Sequence, residues 1–92
     1  MRVIAIQSTE DGVVYSYGEG EMIKNQIPDI PPFNTLKIEN PCIKLDSGKY
    51  IWGFQCWWGE KEKVITKFGN NHVIVDIEED IKPITIDERT NI

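Results

Sequence analysis

The sequence predicts an α+β fold: a small β-rich domain of mostly antiparallel hairpins with one short helix packed on the sheet. Three observations point there. Runs of β-branched and aromatic residues recur between glycine-bearing turns, and such runs favour strands. One segment, residues 60–68, carries helical rather than alternating periodicity. The chain has 92 residues, of which 40% are hydrophobic and 10% aromatic, enough for one core without disulfide or metal staples and too few for two. Residues 1–92 are therefore expected to form a single domain, uninterrupted by repeats, low-complexity tracts or an interdomain linker.

The first element expected is a hairpin. Arg2 to Ser8 and Val13 to Glu19 are strand-like, and Thr9-Glu10-Asp11-Gly12 joins them, with Gly12 free to adopt a positive φ. Gly18 and Gly20 mark a bulge or bend where the second strand ends. Residues 24–35 hold three of the five prolines, which lack a backbone donor, so a long proline-rich loop is expected there. Ile27, Ile30 and Phe33 suit a loop pinned over the core better than an exposed polyproline ligand.

A second hairpin is expected from Cys42 through Trp58. Leu45-Asp46-Ser47-Gly48-Lys49 reads as a three-residue loop with Gly48 in the left-handed position. If Leu45 faces Lys49, then Cys42 faces Trp52 and Ile43 faces Ile51. Cys56 then lies about 13 Å further along the partner strand, beyond disulfide reach. Two reduced, buried thiols follow, which suits the cytoplasm.

The helix comes next, over Glu60 to Phe68. Val64, Ile65 and Phe68 share a face, Glu60 and Glu62 sit at the positive end of the dipole, Lys67 sits in the last turn, and Gly69 closes it. His72 to Ile77 alternates so that Val73, Val75 and Ile77 share one face, a last short strand is expected over Ile84 to Ile86, and residues 87–92 read as a flexible tail.

Fifteen acidic against ten basic residues give a net charge of -5 and a pI near 4.8. That field repels a phosphate backbone, so general nucleic-acid binding is disfavoured. The acids are one run plus scattered singles, too few to imitate DNA. The apolar stretch after Met1 and Arg2 is too short for a signal peptide, and no stretch approaches a membrane span, so a cytoplasmic protein with no membrane partner is expected.

Catalytic chemistry finds little to stand on. His72 is the single histidine; alternation puts it beside Asp76, but a surface histidine is the simpler reading than a general base. Cys42, Cys56 and His72 lack the paired short spacing of a zinc site, and Asp76-Ile77-Glu78-Glu79-Asp80 lacks the alternating ligands and central glycine of a calcium loop. Gly18-Glu19-Gly20 is too short for a dinucleotide fingerprint. No cofactor, metal or catalytic residue is expected, and a non-enzymatic protein follows.

The informative segment is Lys49 to Gly59. Alternation sends Tyr50, Trp52, Phe54, Cys56 and Trp58 to one face and Ile51, Gly53, Gln55 and Trp57 to the other, with Ile43 joining the second through Ile51. Both faces are then apolar, whereas a two-layer domain with one helix dries only one. Three coverings are open: the proline-rich loop or a curled sheet; association with a protein target or an identical subunit; or a small nucleotide stacked on Trp57 over side-chain-free Gly53, with Lys49 or Lys37 near its phosphate. The expected binding residues are Trp57, Gln55, Ile51, Gly53, Ile43 and Lys49.

In size, acidity, lack of catalytic machinery and exposed-aromatic pattern, the chain resembles the broad class of phage-encoded host-takeover and anti-defence proteins, a likeness of whole-chain composition. The resemblance implies stoichiometric inhibition in a host cytoplasm, by blocking a host protein or sequestering a nucleotide signal.

Overall fold

A computed structural model describes residues 1–84. The strands are β1 (Arg2–Glu10), β2 (Val13–Gln26), β3 (Asn40–Leu45), β4 (Tyr50–Trp52), β5 (Trp57–Glu60) and β6 (His72–Ile74), with α1 (Phe33–Leu36) before β3 and α2 (Lys61–Phe68) between β5 and β6. They build one sheet in the order β4-β3-β2-β1-β5, with β6 added alongside β2. The fold is thus a small, mostly antiparallel β-sheet carrying an eight-residue helix and a single helical turn, and the α+β description holds only in part. No helix among the described residues is long and apolar enough to cross a membrane.

The N-terminal hairpin has a tighter turn than expected and a longer second strand. Asp11 and Gly12 both take positive φ, 52° and 78°, the two-residue geometry that matches strand twist. β2 then runs to Gln26, so residues 24–26 belong to a strand rather than to the proline-rich loop. Gly18 does sit at a bulge, with φ 111°, but the strand continues past it. Gly20 marks a close approach instead: a Cβ there would lie 2.8 Å from the Cα of Leu45 on β3.

The second hairpin keeps its expected register and loses its expected length. Cys42 pairs with Trp52 and Ile43 with Ile51, the Leu45 amide donates to the Lys49 carbonyl at 2.8 Å, and Gly48 takes φ 97°. After Trp52 the strand stops. The Gln55 amide donates to the Trp52 carbonyl at 2.8 Å, turning the chain away, and β5 re-enters on the far side of the sheet beside β1. Gly53 and Gln55 therefore lie in a turn, and alternation counted from Trp52 does not carry across it.

The two sides of the sheet are both covered near β3 and β4. On one side Val3, Ala5, Ile43, Leu45 and Ile51 form a buried cluster under Tyr17, Met22, Cys56 and Ile77. On the other, Cys42 and Trp52 pack with Ile81, Ile23, Ile30 and Tyr50, while Ile4, Ile6 and Val14 pack under Val64, Ile65 and Phe68 of α2. Both thiols are free, and burial pushes each up to about 12.

Residues 75–84 make the double covering geometrically workable. They wrap the β4 edge, with Ile77 packed on one side of the sheet and Ile81 on the other. Asp80 accepts from the Tyr50 amide at 2.9 Å, the Trp52 indole donates to the Ile81 carbonyl at 2.7 Å, and the Asp29 amide donates to the Lys82 carbonyl at 2.9 Å. The acidic run is thus a crossing segment rather than a strand end. The proline-rich loop is pinned as expected: Pro28 is fully buried, Ile30 packs in the Trp52 cluster, and Phe33 stacks on Phe54 with ring centroids 4.7 Å apart.

The helix begins one residue later than expected, with Glu60 preceding it and Gly69 closing it by donating its amide N–H to the Ile65 carbonyl at 2.8 Å. β6 covers only His72–Ile74 and pairs with β2 in parallel. Of the expected last strand only Ile84 is described, its amide bonded to the Ile27 carbonyl; residues 85–86 and the 87–92 tail lie outside the described residues.

Candidate functional site

The six residues expected to bind together are not brought together. Ile43 and Ile51 share a face, as alternation expected, but it is fully buried in the core, so they are not available to a ligand or partner. Gln55 is a structural clasp: its side-chain oxygen accepts from the Trp52 amide at 2.9 Å and its nitrogen donates to the Glu79 carbonyl at 3.3 Å. Gly53 packs against Pro41, whose ring carbons would lie 3.1 Å from an added Cβ. Lys49 sits at the β3–β4 turn, exposed, with its amide 3.4 Å from the Ser47 hydroxyl. Trp57 is on β5, four strand spacings or about 19 Å across the sheet from β4.

Of the six, Trp57 alone is an exposed aromatic, with 71% of its surface accessible. It pairs with Ile6 of β1, which is buried beneath α2, so its indole lies on the helix side of the sheet. Among the described residues β5 is an end strand, hydrogen-bonded on one side only. The opposite end of the sheet is treated differently. There the amides of Tyr50 and Trp52 are capped by the side chains of Asp80 and Gln55. One edge is closed by side-chain oxygens; the other is unpaired among the described residues and carries a tryptophan.

Trp58, paired with Ala5, faces the opposite side from Trp57. With Met22, Lys24, Asn25, Glu39 and Pro41 it lines a groove of about 550 Å³. Sequence reasoning missed this site because Lys24 and Asn25 were assigned to a loop; the visible signal was a Trp-Trp pair, which on any strand must present one indole to each face. Ile23 is an extra residue at the β2–β3 bulge, and Lys24 next to it has φ 117°, a conformation costing a non-glycine residue about 1–3 kcal/mol.

A smaller hollow of about 250 Å³ lies between α2, β6 and β2, lined in part by Ser16, Glu19, Asn70 and His72. Ser16, His72 and Glu19 are engaged locally. The Ser16 hydroxyl accepts from the Gly18 amide at 2.8 Å, and the His72 ring donates from Nε2 to the Gly69 carbonyl at 2.9 Å. Arg2 and Lys61 pair with Glu19 at 3.0 and 3.3 Å, and the guanidinium holds the Glu19 carboxyl below its usual range. Among the described residues His72 has no carboxylate partner, no serine or cysteine is hydrogen-bonded to it, and no three His, Cys, Asp or Glu side chains converge for a metal.

Comparison with family models, curated proteins and solved structures found no match to this chain.

Proposed function

We propose that this protein is a non-enzymatic binding module acting by stoichiometric protein–protein association through the β5 edge and Trp57. One observation carries the reading: a tryptophan 71% exposed on a strand whose outer side is unpaired among the described residues. A large amphipathic ring held on rigid backbone loses little side-chain entropy on contact, and for this reason tryptophan is enriched at interface centres. The open edge adds main-chain donors and acceptors that an incoming strand satisfies. The resemblance to phage takeover proteins would make the partner a host protein held inactive by occupancy.

The form of this reading testable without a known target is self-association, two copies meeting along β5. Sedimentation equilibrium should then give twice the 10.6 kDa of one chain, falling to a single chain in Trp57→Ala with an unchanged circular dichroism spectrum. A monomer in both proteins would remove self-association, and a dimer indifferent to the substitution would move the interface elsewhere.

A further inference from the structure

We infer that the groove beside Trp58 is a small-molecule site for a nucleoside monophosphate whose base carries an exocyclic amine. The groove lies on the opposite side of the sheet from Trp57, so the inference stands apart from the association proposed above. Its lining divides into two kinds of group. Trp58, Met22 and Pro41 are apolar, and Trp58 is 38% exposed, leaving indole surface free for stacking. Lys24, Asn25 and Glu39 are polar, and none of their side chains makes a hydrogen bond or ion pair with another described residue. The three polar groups are exposed along the groove, and an apolar wall bordered by a few uncommitted polar groups is a common make-up of a ligand site. In the helix-side hollow the Glu19 carboxylate is already paired with Arg2 and Lys61.

The chemistry of the three polar groups narrows the ligand. A flat ring stacks on the indole in preference to a puckered sugar. An amide offers a donor and an acceptor to a base edge, and a carboxylate accepts from an exocyclic amine. A single ammonium in a chain of net charge -5 suits one phosphate and disfavours a di- or triphosphate. The backbone at Lys24 is the independent sign. Its φ of 117° is one a glycine would adopt without strain, yet a lysine occupies it at the rim of the groove.

Isothermal titration calorimetry with adenosine, AMP and ribose 5-phosphate reads the proposal. Adenosine and AMP should bind, AMP roughly fivefold the tighter through the ammonium, and ribose 5-phosphate should not. Lys24→Gly relieves the backbone and so keeps or raises the melting temperature; it should bring AMP to the affinity of adenosine. Trp58→Ala should abolish both, while Trp57→Ala leaves both intact. Absence of adenosine and AMP binding by wild type, equal binding of ribose 5-phosphate, or AMP affinity unchanged in Lys24→Gly each overturns the assignment. Loss of binding in Trp57→Ala with retention in Trp58→Ala would place the ligand on the other face and overturn it equally.

Discussion

The Asp80 carboxylate accepts a hydrogen bond from the Tyr50 backbone amide at 2.9 Å, closing an outward-facing donor on the β4 edge with a residue from the far end of the chain. Removing that acceptor should uncover the edge. Asp80→Ala is expected to cost about 0.5–1.5 kcal/mol, the usual net worth of a hydrogen bond that water can replace, and to raise the Tyr50 amide exchange rate. Asp80→Asn keeps an accepting oxygen and should lose less. Chemical denaturation and hydrogen exchange measure the two effects separately; equal losses in both variants would show that the charge, not the acceptor, matters.

Gly20 should tolerate no side chain. An added Cβ would meet the Leu45 backbone at 2.8 Å, where two paired strands would have to separate. Gly20→Ala is expected to destabilise by about 3 kcal/mol or more in urea unfolding, at the upper end of overpacking effects, because neither neighbour is a flexible side chain.

The surface cluster around Arg2 gives the protein an acid sensitivity of defined sign. Arg2 hydrogen-bonds Asp46 and Glu19, and both carboxyls are held below their ordinary values of 3.8 and 4.5 chiefly by that bond. A depressed folded value means that the stabilisation is present above the ordinary value and is lost as pH falls through the depressed one. Wild type should therefore lose stability more steeply than Arg2→Met below about pH 4.5, the Glu19 reference value, and the two curves should run parallel above pH 6. The groups are solvent-accessible, so added salt should shrink the difference.

Local chemistry made part of this fold legible. The Asp46-Ser47-Gly48 loop set the β3–β4 register because turn length and one left-handed glycine leave a single pairing, and the ends of α2 were readable from Glu62, Lys67 and Gly69. The break after Trp52 was not readable. Gly53 is compatible with both a continuing strand and a turn, and the choice is made by contacts remote in sequence: the Gln55 clasp to Glu79, the Trp52 indole bond to Ile81, and the Pro41 ring beneath Gly53. The candidate site failed for the same reason. Ile43 and Ile51 were expected among the binding residues, and the segment that buries them around Ile77 was read as a solvated strand end.

The length of β2 bears on how the chain reaches this arrangement. Its fourteen residues carry β1 along one side and, end to end along the other, β3 and β6. The β1–β2 hairpin closes through two residues, whereas His72 reaches Val14 only across most of the chain. Closing the larger loop costs more entropy, so the hairpin is the natural nucleus and the parallel strand docks late. The first strand pair to form thus serves as the template on which every later strand except β4 is laid.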